Sequence, residues 1–152
     1  MKGGSAKRKG TRAEAELARL LWERGFAVVR GPSSGSGVRR RFQPDIVAML
    51  NGEILVIEVK TARSPNDTIY IESHKVIAMS EFAKRAGGTA FIAVRVRGGE
   101  WRFHRLDELE VTRAGNFKIP RVGRGLKIRD IEHMVRGGPR ITDYMGGSTR
   151  HS

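Results

Sequence analysis

The sequence predicts an α/β protein of three layers, a central mixed β-sheet flanked by helices, and three observations carry that prediction. Segments with a helical apolar period open the chain, interrupt it after residue 73 and return near residue 128. Strand-like pairs lie between them, one around Asn51-Gly52 and one around Gly98-Gly99. Long connections separate other strands, and the order αββββαββα then points to helices packed on both faces of a mixed sheet.

Residues 1–10 are polar, basic and glycine-containing, and predict a flexible arm whose Lys7, Arg8 and Lys9 could lie along phosphates. A helix is expected from Thr11 to about Arg24, with Leu17, Leu20 and Leu21 on its apolar face and Gly25 as its stop. Thr11 and Glu14 fit a capping box, which by spacing alone assigns Glu14 to the helix end. Phe26 to Arg30 reads as a strand. Gly31 to Gln43 reads as a flexible loop that holds Ser33, Ser34 and Ser36 and then the run Arg39, Arg40, Arg41. Those serines are ordinary loop residues or neighbours of a phosphate, and the arginines are a solvated run or phosphate contacts.

Strands of roughly 45–50 and 53–61 follow, both largely apolar and expected in the covered centre of a sheet. Thr68 to Ile71 reads as a short edge strand, and Ser73 as the N-cap of a helix ending at about Ala86 before Gly87-Gly88. Ala90 to Val96 and Trp101 to Arg105 form a second strand pair, and Ile128 to Val135 a last short helix. Trp22 and Trp101 each lie in an apolar segment and are expected in the core or an interface. The expected organisation is an arm at 1–10, one domain at 11–136 and a glycine-rich flexible tail at 137–152.

With 152 residues the chain is one domain of common size, and its 29 Lys and Arg against 16 Asp and Glu leave a net charge of +13. Such an excess speaks to anionic partners, nucleic acid first and a membrane surface second. No long apolar span and no secretory pattern is visible, so a cytoplasmic, nucleoid-associated protein is expected. The absence of cysteine excludes disulfides, thiolate zinc sites and cysteine nucleophiles, and the four histidines show no ligand spacing. Hard-cation chemistry remains.

The Asn51-Gly52 pair predicts a two-residue type I′ turn, since both central residues need positive φ. Leu50 then faces Glu53, and counting outward places Asp45 directly opposite Glu58. Two carboxylates about 5 Å apart repel by about 3 kcal/mol at an effective dielectric of 20, so a cation is expected between them. One or two carboxylates, completed by water and phosphate, are what Mg²⁺ takes. Strand alternation puts Lys60 on the face of Glu58, where it can orient a water or stabilise charge at phosphorus. The plain alternative is a polar strand end with an ordinary Glu/Lys pair.

Pro44-Asp45, Glu58-Val59-Lys60 and the upstream Glu14 together resemble nucleases of the PD-(D/E)xK type. More specifically, the chain resembles the archaeal Holliday junction resolvases called Hjc. Lys9-Gly10-Thr11, Gly25 to Arg30, Pro32 to Ser36, Pro44 to Ala48, Ile57 to Lys60, Ile69 to Ile71 and Phe82 to Gly88 follow that family's order and spacing, over about residues 7–135. The resemblance implies a restriction-endonuclease-like fold, a homodimer, and cleavage of four-way junction DNA dependent on Mg²⁺, with Mn²⁺ able to substitute. It implies catalytic roles for Glu14, Ser34, Asp45, Glu58 and Lys60, with Glu14, Asp45, Glu58 and the Val59 carbonyl near the metal. Lys7, Arg8, Lys9, Arg39, Arg40, Arg41, Arg63 and Tyr70 are the expected DNA contacts. The tail after 135 shows no family pattern, so it supports no sliding-clamp interaction. Rival expectations are another nuclease of the same superfamily, of flap, repair or restriction type, and a non-catalytic protein that binds branched DNA.

Overall fold

The structure is a computed structural model and describes residues 2–32 and 41–137. Ser34, Arg39, Arg40 and the tail from residue 138 onward lie outside the described residues. The elements run α1 (Lys2–Glu23), β1 (Ala27–Arg30), β2 (Ile46–Leu50), β3 (Glu53–Ala62), β4 (Ile69–Ile71), α2 (Ser73–Ala86), β5 (Thr89–Val96), β6 (Glu100–Arg105), β7 (Glu110–Val111), β8 (Phe117–Ile119) and α3 (Ile128–Arg136). Single 3₁₀ turns follow β6 and β8, at Leu106–Glu108 and Val122–Arg124.

Five strands form the central sheet in the order β1-β2-β3-β5-β6. Among the described residues only β3 and β5 run parallel in it, and the chain between them carries β4 and α2 across one face. A parallel neighbour demands such a crossover, which is why the mixed sheet was predictable from the long connections. Leu55, Ile57, Phe91, Ala93 and Phe103 meet Leu17 and Leu21 of α1 and Ile131 of α3 on one side. On the other, Val56, Ile92 and Val94 meet Val76 and Met79 of α2 together with Ile71, Ile119 and Val122. The layers are thus α1 and α3, the sheet, then α2 with a small second sheet.

Two expectations are corrected. The helix does not start at Thr11 but continues back to Lys2, through the segment expected to be an arm. Gly3, Gly4 and Gly10 each cost about 1 kcal/mol in a helix, which hid the continuation. Yet residues 13–23 are docked on the sheet, and extending an existing helix needs no new nucleus. Thr11 is therefore no N-cap, and Glu14 belongs to no capping box. Ser73 is likewise the first residue of α2 and not its cap. Glu72 holds the cap position without a side-chain bond, and the Ser73 N–H donates to Asn116 Oδ1 at 3.0 Å. The expected short edge strand is present at Ile69–Ile71, at the edge of a separate three-stranded sheet in which β4 pairs with β8 and β8 with β7. Two further findings qualify the reading: Val47 and Met49 leave one face of β2 only half-covered, and Trp22 is exposed while Trp101 is buried.

Candidate active site

The site grows from the β2–β3 hairpin. Asn51 and Gly52 have φ of 53° and 78°, the pair of positive angles that a type I′ turn requires. The register follows from that turn, from Leu50 opposite Glu53 out to Ile46 opposite Ile57. There β2 ends, whereas β3 continues to Ala62 along β5. One position beyond the last ladder pair come Asp45 and Glu58, near enough for the Asp45 charge to raise the Glu58 carboxyl. One position further, the ladder would pair Val59 with residue 44. A strand residue points its N–H and C=O to the same edge, so Val59 turns both toward the place that β2 has vacated. Its N–H donates to Asp45 Oδ2 at 2.9 Å. Its carbonyl meets no ladder donor at that register, because residue 44 is proline and has no N–H. Gly31 holds this end in place, its N–H donating to the Asp45 carbonyl at 2.8 Å, and a Cβ there would fall 2.2 Å from the Pro44 oxygen.

Glu58 is 6% exposed. Burial and then the neighbouring Asp45 push its carboxyl up to about 7, against the pull of Lys75 and Lys60. Such a pair of carboxylates, one of them buried, is the environment a hard divalent ion relieves. Asp45, Glu58 and the Val59 carbonyl fit that ion as an all-oxygen set. Lys60 lies two residues along from Glu58 on the same face.

Glu14 stands apart on α1. Its carboxyl is raised by burial and by Asp45 and restrained by Arg30, whose Nη2 lies 3.8 Å from Oε1. Among the described residues no three carboxylate or imidazole side chains gather closely enough to hold an ion. Glu14 is in electrostatic reach of Asp45.

Beside the site, at the C-terminal ends of the parallel pair β3 and β5, a cleft of about 740 Å³ is lined by Arg63, Arg95, Arg97, Thr61 and Asp67. Arg95 also pairs with Glu16 at 3.5 Å. Arg41 and Tyr70 are exposed, Tyr70 on β4 beside a shallower depression with Arg113 and Asn116. Lys7, Arg8 and Lys9 lie on the first turns of α1, their side chains outside the described residues. Sequence reasoning missed three cations. The alternation Val94-Arg95-Val96-Arg97 could have revealed Arg95 and Arg97 as a polar strand end. Lys75, whose Nζ lies 3.6 Å from Glu58 Oε2, has no local signal, because α2 is brought there by the tertiary fold.

Comparisons with known proteins point to one family. The sequence profile of archaeal Holliday junction resolvase (Hjc) matches residues 5–137. The crossover junction endodeoxyribonuclease Hjc of Sulfolobus acidocaldarius is 36% identical over 88% of this chain and 92% of its own length. Its namesake from Sulfurisphaera tokodaii is 38% identical over 86% and 90%. The solved structure of Archaeoglobus fulgidus Hjc, a Holliday junction resolvase from an archaeal hyperthermophile, superposes with a TM-score of 0.69 at 34% identity, covering 82% of this chain and 95% of that one. The chain belongs to the archaeal Holliday junction resolvase (Hjc) family, and its mixed sheet flanked by helices is that family's restriction-endonuclease-like fold.

Proposed function

We propose that this chain is a structure-specific endodeoxyribonuclease that resolves four-way DNA junctions as a homodimer, using Mg²⁺. The observation that carries the reading is the meeting of Asp45 and the buried Glu58 where β2 stops, inside a chain of this family. A nuclease of this family implies a divalent cation, and Asp45, Glu58 and the Val59 carbonyl are the groups to hold it. When bound, such an ion acidifies the attacking water and polarises the scissile phosphate.

The chain's own residues do the rest. Asp45 is fixed by the Val59 N–H, so its second oxygen is presented in one direction. Lys60 orients the attacking water or offsets negative charge gathering at phosphorus. Water adds to phosphorus as the bond to the 3′-oxygen breaks, leaving a 5′-phosphate and a 3′-hydroxyl. Glu14, paired with Arg30, completes the outer acidic shell around Asp45, and Ser34 would act near the scissile phosphate. The arginines of the neighbouring cleft, with Lys7, Arg8, Lys9, Arg39, Arg40, Arg41 and Tyr70, would hold the backbone of the junction arms. Binding through phosphates weakens steeply with salt and ignores sequence. Two protomers, each cutting one of two strands of like polarity, yield two nicked duplexes.

The test is cleavage of a synthetic four-way junction with Mg²⁺, beside a linear duplex and a flap of the same sequence. Paired nicks in the junction alone are expected. Equal cutting of the flap or duplex would replace the resolvase reading with that of another nuclease, and tight junction binding without nicks would leave only a binding protein.

A further inference from the structure

Two lysines flank Glu58 from different directions. Lys60 shares its strand, whereas Lys75 reaches in from the third residue of α2, on the crossover between β3 and β5. Lys75 Nζ lies 3.6 Å from Glu58 Oε2, and the two side chains are unequal: the carboxylate is 8% exposed and the lysine 39%. The acid is fixed on a central strand. The ammonium hangs on a four-carbon stem with water on one side. Glu58 is also the charged residue that is buried among the described ones. Once ionised, a buried carboxylate needs a partner, including when no metal is present.

Resting on the reading of Asp45 and Glu58 as metal ligands, we propose that Lys75 is the displaceable counter-ion of the cleavage site: it holds Glu58 in the metal-free enzyme, yields it to the divalent ion, and then takes a phosphate of the junction strand. A divalent ion and an ammonium that share one carboxylate repel each other strongly at the low effective dielectric of such a site. The exposed, flexible member of the pair is the one that can leave. The group it next meets is the DNA phosphate that approaches the same mouth. Lys75 thereby couples metal binding to DNA binding, which a residue fixed on the strand could not do.

The coupling is measurable without catalysis. Mn²⁺ binding to the full chain would be followed by calorimetry without DNA, at about pH 8.5, where protons compete least for Glu58. Lys75→Met should bind Mn²⁺ about five- to tenfold more tightly than the parent, and Lys75→Arg should stay within about twofold of it, the expected signature of a removed competitor. Junction affinity would then be measured with and without Ca²⁺, and the gain that Ca²⁺ brings should be at least about threefold smaller in Lys75→Met. Circular dichroism melting, with Lys75→Gln as a second neutral variant, establishes that the changed proteins are folded. Equal or weaker Mn²⁺ binding by the two neutral variants would overturn the counter-ion role, and an unchanged Ca²⁺ gain would overturn the phosphate contact. Failure of the underlying site looks different: Mn²⁺ binding would then be absent in the parent, or undiminished in Asp45→Asn.

Discussion

The two halves of β3 lie in one strand, in one layer, against the same neighbour β5, and have opposite fates. Leu55, Val56 and Ile57 are sealed on both faces. Glu58 to Lys60 carries charge, a backbone group without a ladder partner and a line of access to solvent. What differs is the other edge: β2 covers the first half and stops at Ile46, just before the second begins. The contrast teaches that the site is made by ending a strand early, with Pro44 and Asp45 placed where the ladder would have gone on.

The contrast breaks most completely at Asp45. Asp45→Asn keeps the shape but halves the charge of the pair, and junction cleavage should fall on the order of 10²–10³-fold, as when a preorganised charged group is lost. Gel-shift affinity in EDTA should stay within a few-fold; equal loss of binding would show that the residue serves the fold. In the sealed half, Ile57→Ala should cost about 2–5 kcal/mol of stability, read from the denaturant midpoint, because a fully buried side chain leaves a cavity.

Glu58→Gln, one residue on, should do the reverse. Its carboxyl titrates near 7 in the fold, against 4.5 unperturbed, so the folded chain binds more protons between those values and loses stability as pH rises through them. Without metal, Glu58→Gln should be more stable than the parent by up to about 3 kcal/mol at pH 8, with no gain at pH 4. Calorimetric melts at the two pH values decide it, and a pH-independent difference would sink the assignment. The smallest effect is expected from Pro44→Ala. It restores an N–H opposite the Val59 carbonyl and should weaken Mn²⁺ binding about threefold, the new donor competing for that oxygen; unchanged affinity would remove Val59 from the ligand set.

The hairpin and the Asp45–Glu58 meeting were legible because Asn51-Gly52 encodes its own turn, and register follows from a turn by counting. The charge of the neighbouring cleft was half legible, in Arg63 but not in Arg95 and Arg97. Lys75 was invisible, since its contact with Glu58 depends on where a crossover helix lands. The small sheet was unreadable for a different reason: Glu110–Val111 and Phe117–Ile119 are too short to show a period. At the N-terminus local propensity misled, as glycines that should stop a helix are carried along by a docked one.

The Asn51-Gly52 turn also has a consequence in time. Joining β2 to β3 closes a two-residue loop, among the least costly closures a chain can make, and hairpins of this kind form in about 1–10 μs. The β3–β5 pairing must wait for β4 and α2 to be threaded across, and Asn51 Nδ2 reaches its bond to the Val135 carbonyl, at 3.3 Å, only when the last helix arrives. Asp45 and Glu58 are therefore brought face to face early, and the lysine that answers them comes on the very segment whose docking completes the sheet.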